Sequence, residues 1–339
     1  MPTGSGGCPS IESRKPFTAT LLNRISIVIP CFNEAQALDS LLARLDQALA
    51  TVPDASFEIV CVNDGSRDDT LQRLMVLQQS RNGLVVVDLS RNFGKEAALS
   101  AGIAVATGEA VVPMDADLQD PPELLAQLVA LWRQGFEVVV ARRADRSSDS
   151  WIKRVTAGAF YRAHNAMSDI QIPNNVGDFR LMDRAVVDVL NALPESRRFM
   201  KGLFAWVGFR TAAVDYVRES RVAGTSSFNG WRLWNLAVEG ITGFSITPLR
   251  IWSYMGLAVA GVSLAWGTWI LVRTLIFGHD IPGYASLFVA VTFLGGLQLI
   301  GIGIVGEYVG RTYIESKRRP PFVVRRVYRQ PVERGSSAT

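Results

Sequence analysis

The stretch VVPMDADLQDPPE, residues 111–123, runs from an apolar pair into carboxylates at Asp115, Asp117 and Asp120 and ends on two prolines. Val111 and Val112 read as the end of a buried strand, and Pro121 and Pro122 suit the first turn of a new helix. The three aspartates therefore fall on a strand-to-helix loop. Such loops, at the carboxyl ends of parallel strands, are where open α/β sheets bind ligands. Two readings are open for this stretch by itself. In one, a divalent metal between the aspartates and a diphosphate relieves the crowding of negative charge. In the other, the loop is a solvated acidic turn with Asp120 as a helix N-cap.

Outward from it, short β-rich runs recur: ISIVIP (25–30), FEIVCV (57–62), LVVVDL (84–89), EAVVPMD (109–115) and FEVVVA (136–141). They are continuous rather than alternating, as parallel strands covered on both faces should be. Helical patterns fill the gaps. Within Ala35–Ala50, Leu38, Leu41, Leu42, Leu45 and Leu49 follow the 3.6-residue period. Asp68–Gln79 opens with acids that suit a helix dipole, and a third helix is expected over Lys95–Ala106. The expected fold is α/β, a Rossmann-like half with its active face at the strand ends.

Four consecutive loops bring polar residues to that face. They are PCFNEA with Pro30, Asn33 and Glu34, NDGSRDDT with Asp64, SRNFGKEAAL with Lys95, and DADLQD. Each alone is explicable as turn chemistry. Together they describe a nucleotide pocket with acids for ribose and base, a lysine for charge and a carboxylate pair for metal. No GxGxxG follows a strand and no GxxxxGK[ST] occurs, so dinucleotide and P-loop chemistries are poorly supported.

The 339 residues allow two domains, and 48% hydrophobic content exceeds the needs of an ordinary soluble one. The excess lies in Ile251–Val272 and Tyr284–Val305, each 22 residues without a charge. Each is long enough to span a bilayer, and RTLIFGHDIPG between them makes a short hairpin connection. Arg311, Lys317, Arg318, Arg319, Arg325, Arg326 and Arg329 follow the second span, which places both termini in the cytoplasm. The net charge of +4 then reads as contact with anionic lipid rather than nucleic acid. Cys8, Cys31 and Cys61 form no CxxC pair and fit a reducing compartment. The expected divisions are a disordered extension over 1–22, a catalytic domain over 23–229 and an interfacial region over 230–250. Two transmembrane helices over 251–305 and a basic cytoplasmic tail over 306–339 complete them.

IVIPCFNE, VNDGSRDDT, LSRNFGKEAAL, MDADLQDPPE and VGDFRLMDR together resemble family 2 glycosyltransferases of the polyprenyl-phosphate branch. The resemblance extends through the two spans and GEYVGRTYIESKRRPPF (306–322). It implies a GT-A nucleotide-sugar domain, a nucleotide-sugar donor, Mg²⁺ or Mn²⁺, and a membrane-bound polyprenyl phosphate acceptor. It also implies a homo-oligomer, a tetramer, in a bacterial inner membrane. By that resemblance Asp117 is the firmest metal ligand, Gln119 a second, and Asp115 lies nearer the ribose. Pro30, Asn33, Glu34, Asp64, Lys95, Asp115 and Ala116 would line the donor.

A sugar hydroxyl would need a general base, whereas a polyprenyl phosphate is already anionic and needs cations to hold it. Arg142, Arg143, Lys153, Arg154 and Arg221 are candidates for that task. By the same resemblance, Asp178 in VGDFRLMDR is the acidic residue near the acceptor side, with a positioning or electrostatic role. Arg180 beside it either pairs with it or joins the phosphate set. Neither His164 nor His279 has a partner in sequence, which argues against histidine catalysis. Trp206, Trp231 and Trp234, beside Lys201 and Arg232, fit an interfacial segment, with core packing as the alternative for Trp206. Ser227 stands where many relatives carry lysine in a GxSK segment, which places more of the acceptor phosphate on Arg221. The resulting expectation is an inverting transferase moving one hexose, glucose from UDP-glucose, to undecaprenyl phosphate. GDP-mannose, UDP-GlcNAc, UDP-galacturonate or a modified arabinose are alternative donors. An inactive membrane scaffold is the non-enzyme rival, and the intact acidic motifs argue against it.

Overall fold

Strand β1 (Asn23–Cys31) buries Ile27, Val28 and Ile29 completely, so consecutive side chains on both faces are covered. That is the mark of a strand inside a layered α/β sheet. The computed structural model describes residues 23–144, 176–195, 198, 200–216, 245–278 and 283–330. The chain continues through α1 (Leu38–Leu49), β2 (Ala55–Asn63), α2 (Thr70–Ser80), β3 (Leu84–Leu89), α3 (Lys95–Val105) and β4 (Ala110–Pro113). After a 3-10 turn at Pro122–Leu124 come α4 (Leu125–Arg133) and β5 (Val138–Arg143). Next are β6 (Val176–Asp183), α5 (Arg184–Ala192), α6 (Met200–Trp206) and β7 (Thr211–Tyr216). The apolar helices α7 (Thr247–Phe277) and α8 (Tyr284–Ser316) precede β8 (Val324–Tyr328).

The strands form one eight-stranded sheet in the order β7-β5-β6-β4-β1-β2-β3-β8. Strand β1 pairs in parallel with β2 and β4, and β2 with β3, as the continuous apolar runs predict. Strand β6 enters antiparallel between β4 and β5, so the sheet is mixed rather than wholly parallel. Helix α1 packs through Leu38, Leu41, Leu42 and Leu45, all fully buried. Each such side chain contributes about 2 kcal/mol of burial. Trp132 on α4 donates its indole N–H to Asp183 at 2.8 Å, and Asp183 also caps α5 by accepting from Ala185 N. At the sheet end opposite the DADLQD loop, buried Glu58 accepts from Ser26 Oγ (2.6 Å), Thr107 N (2.8 Å) and Thr107 Oγ1 (3.0 Å). This ties β1, β2 and the approach to β4 together.

The two C-terminal segments differ from the sequence expectation in extent. Helix α7 already begins at Thr247, so the end of the 230–250 region belongs to it, and α8 runs past Val305 to Ser316. Thr247–Phe277 and Phe293–Ser316 are each long and apolar enough to cross a membrane. Leu257, Leu264, Leu275 and Phe277 leave most of their surface uncovered, which water would disfavour. Helices α7 and α8 touch where Trp252 meets Gly301, since a Cβ at Gly301 would lie 1.9 Å from the indole nitrogen. Tyr308 donates its hydroxyl to Ser245 O at 2.7 Å.

Within the segment read as a basic tail, β8 returns to the sheet and pairs antiparallel with β3. Val324 lies opposite Leu89, and Ser90 N donates to Val323 O at 2.9 Å. The chain leaving α8 therefore rejoins the domain at the carboxyl end of β3, the same end that carries the four loops. The 1–22 extension, Lys153, Arg154, His164, Arg221, Ser227, Trp231, Arg232, Trp234 and His279 lie outside the described residues.

Candidate active site

The first two loops are knitted to each other by backbone-to-side-chain bonds. Asn33 takes a left-handed φ of 57°, which asparagine tolerates, and its Oδ1 accepts from Arg67 N at 2.8 Å. Glu34 N donates to Thr70 Oγ1 at 2.9 Å, and Asn33 N to Ser66 Oγ at 3.1 Å. Pro30 is half-buried at the end of β1. Asp64, predicted at the nucleoside end, uses both carboxylate oxygens on the third loop. Oδ1 accepts from Phe93 N at 2.7 Å and Oδ2 from Gly94 N at 3.0 Å. Burial pushes the Asp64 carboxyl up in spite of these amides. Gly65 is required beside it: its φ is +62°, and a Cβ there would lie 2.5 Å from Arg91 C and Asn92 N.

Lys95, the first residue of α3, reaches two carboxylates at once. Its Nζ lies 2.7 Å from Asp115 Oδ1 and 2.9 Å from Asp178 Oδ2. Asp115 comes from the loop after β4 and Asp178 from the start of β6. The structure thus joins residues 95, 115 and 178, which the sequence lists separately. Desolvation opposes the Lys95 charge, but Asp115 and then Asp178 raise its pKa well above the ordinary range. Burial raises Asp115 against the pull of Lys95. For Asp178 burial is outweighed by Lys95, Lys201 and Arg180, which hold its carboxyl below the usual range.

The next turn of the same loop contains a strained residue. Leu118 has φ +55° and is buried, a left-handed conformation that costs a leucine about 1–2 kcal/mol. It separates Asp117 from Gln119, whose N–H donates back to Asp117 Oδ1 at 3.2 Å. Ala116 is buried beneath them. Gln119 is buried too, and its Oε1 has no hydrogen-bond partner. A buried amide oxygen without a donor is chemically suited to a cation or a hydrogen-bond donor.

Asp120 does not cap a helix. It accepts a short hydrogen bond from the Tyr216 hydroxyl at the end of β7. Burial and then Asp120 push Tyr216 up to about 12, so it remains a donor. Arg143 Nε in turn donates to Tyr216 Oη at 3.4 Å. Tyr216 was not singled out from the sequence, because its strand, TAAVDY, is short and its partner is 96 residues away.

The basic residues divide. Arg142 forms a two-pronged pair with Asp215 at 2.6 and 2.8 Å on the surface. Arg180 does not hydrogen-bond Asp178. It donates to Gly177 O at 2.7 Å and stacks on Phe204, with its guanidinium 4.0 Å from the ring centre. Burial pulls its pKa down to about 10, and its Nε is unpartnered. Arg180 and Lys201 line a small cavity with Val176 and Phe204, between the sheet and α6. Helix α6 buries Met200, Leu203 and Phe204 and leaves Trp206 53% exposed, so Trp206 is not a core residue.

Residues 26–190 match Glycosyl transferase family 2, and residues 247–312 match the GtrB C-terminal hairpin. The prophage bactoprenol glucosyl transferase homolog of Escherichia coli (strain K12) is 49% identical over 304 residues, covering 90% of this chain and 99% of that one. The bactoprenol glucosyl transferase of Shigella phage SfV is 50% identical over 302 residues, covering 89% and 98%. Among solved structures, a mannosyltransferase from Pyrobaculum calidifontis in complex with GDP-Man and Mn²⁺ aligns with a TM-score of 0.47. It is 18% identical, over 89% of this chain and 90% of that one. Two matched regions in the same order, and half of all positions shared along nine-tenths of the chain, leave one assignment. The chain belongs to glycosyltransferase family 2, in the group of the bactoprenol glucosyl transferases.

Proposed function

We propose that the protein moves glucose from UDP-glucose to a polyprenyl phosphate at the cytoplasmic face of the bacterial inner membrane, with inversion at C1. The names of the relatives support the sugar and the lipid. The observation that carries the reading is the return of the chain from α8 to the carboxyl end of β3. It puts the apolar hairpin and the Lys95–Asp115–Asp178 cluster at the same end of the sheet. A lipid-borne acceptor can then reach the donor without leaving the bilayer surface.

Asp117 and Gln119 would hold a divalent cation. Both offer oxygen, which hard cations prefer, and the orphaned Gln119 Oε1 supports the assignment. Among the described residues no three His, Cys, Asp or Glu side chains converge as a metal cage, so Asp117 and Gln119 are the side chains assigned to the cation. When bound, it neutralises charge on the departing diphosphate.

In the transfer, an oxygen of the acceptor phosphate attacks C1 of the sugar as the bond from C1 to the UDP oxygen breaks. No proton moves. The acceptor's second ionisation lies near pH 6, so it needs no base at neutral pH. Asp178 is ionised and engaged by Lys95, a state suited to positioning the lysine rather than accepting a proton. Lys95 faces the donor, and Arg143, with Arg154 and Arg221, holds the acceptor phosphate, whereas Arg180, buried on Phe204, is not placed to join them. Tyr216 and Asp120 brace the loop that carries Asp117.

The test is transfer from radiolabelled UDP-glucose, GDP-mannose and UDP-GlcNAc to undecaprenyl phosphate by the purified full chain, followed by lipid extraction. Label should enter the lipid phase from UDP-glucose. Label from GDP-mannose alone would replace the sugar, and no label from any donor with folded protein would overturn the transfer reading.

A further inference from the structure

Glu96 has no task in the transfer just described, yet it stands directly behind the residues that do. It occupies the first turn of α3, next to Lys95. Its Oε2 is buried and accepts no hydrogen bond. The groups facing its carboxyl come from three elements: Lys95 on α3, Asp178 on β6, and Lys201 with the Met200 N–H on α6. Ser100, one turn along α3, contacts Met200 Sδ at 3.7 Å, so α3 and α6 meet at this point.

A carboxylate oxygen buried without a donor disfavours the anion. Burial and then Asp178 push Glu96 up to about 7, against the opposing pull of Lys95, Lys201 and the Met200 amide. The charge of the cluster therefore depends on one proton. With Glu96 neutral, the cations Lys95 and Lys201 match the carboxylates Asp115 and Asp178, and the balance of these four is zero. With Glu96 ionised, a third carboxylate competes for the same two cations and the balance turns negative.

We propose that Glu96 is a positioning residue whose proton sets the charge of the Lys95–Asp115–Asp178–Lys201 cluster and thereby its affinity for the anionic donor. The proposal rests on the reading of Lys95 as a donor-side residue. Substrate affinity is highest below neutral pH and falls as Glu96 ionises. The linkage to stability has the same direction. Glu96 is raised above its unfolded value of about 4.3, so the native state holds the extra proton and loses relative stability as pH rises from there towards 7.

Two measurements on the full chain in detergent test this. Infrared difference spectra of the protein alone should show a protonated carboxyl that titrates near pH 7. It should be absent from Glu96→Gln and move upward by about one pH unit in Lys201→Gln, which removes a neighbouring cation. Calorimetric binding of UDP-glucose with saturating Mg²⁺ should weaken about fivefold between about pH 6 and 8.5 in the natural protein. In Glu96→Gln it should stay flat at the tighter value. A carboxyl band that survives Glu96→Gln or ignores Lys201→Gln would overturn the proposal, as would an unchanged pH limb in Glu96→Gln. Failure of UDP-glucose to bind at any pH would strike the donor reading instead, and the infrared titration would still decide the state of Glu96.

Discussion

Glu58 and Glu96 are the same residue type at opposite ends of one sheet, and each buries carboxylate oxygen. Glu58 receives Ser26 Oγ, Thr107 N and Thr107 Oγ1, with Arg24 at 3.3 Å, and although burial opposes it these groups pull its pKa down. Glu96 leaves Oε2 without a partner and is pushed up to about 7 by burial. The wider pattern is the same. Among the described residues, the buried polar side-chain atoms without a partner are Glu96 Oε2, Gln119 Oε1, Asp178 Oδ1, Arg180 Nε and Glu195 Oε2. All but the last belong to the loop end of the sheet or its α6 flank. Native proteins pair nearly all buried polar atoms, so such a concentration sets this end of the sheet apart; on the readings proposed above, a ligand would complete Gln119 and a proton would complete Glu96. One end of this sheet satisfies its buried carboxylate within the chain, and the other leaves several buried polar atoms unpartnered.

The comparison can be broken most sharply at Asp117. Replacing it by Asn keeps the shape of the loop but weakens a metal ligand, and transfer should fall by about 10²-fold or more. Thermal unfolding of the variant should be unchanged. Full activity in Asp117→Asn, with EDTA also harmless, would remove the metal from this end of the sheet.

A smaller effect is expected at the other end. Glu58→Gln presents an amide to donors that were bonded to a carboxylate, and should cost about 2 kcal/mol of stability. Its pH dependence has a definite sign. Because the folded pKa of Glu58 is lowered, its contribution is present above the unfolded value of about 4.3 and is lost as pH falls through the folded value. Acid unfolding of the natural protein should therefore lose part of its slope in Glu58→Gln. An identical acid limb in both would show that Glu58 does not carry the difference.

The central strands and their loops were legible in the sequence because buried parallel strands read as continuous apolar runs broken by Asn, Asp, Gly and Pro. ISIVIP, FEIVCV, LVVVDL, EAVVPMD and FEVVVA all became strands, with ends shifted by up to two residues. Strands β6, β7 and β8 were not assigned. Their pairing depends on partners distant in sequence, and β8, VRRVY, reads by charge as a tail. At the site, DADLQD, Lys95 and Asp178 could be named individually. Their meeting at 2.7 and 2.9 Å could not, because it requires α3 and β6 to be brought to one loop. Arg180 illustrates the opposite limit. Two residues from Asp178 on a strand, it looked available for an ion pair, but the fold turns it onto Phe204.

The most direct test sets Glu58→Gln against Asp178→Asn, each measured for melting temperature and for turnover at saturating substrates near pH 7. If unpartnered groups serve the ligand and satisfied ones serve the fold, the two variants must fail differently. Glu58→Gln should melt several degrees lower with turnover unchanged, whereas Asp178→Asn, whatever it loses in melting temperature, should lose at least about tenfold in rate while still folded. Loss of turnover in Glu58→Gln at full stability, or loss of stability in Asp178→Asn at full turnover, would contradict the account.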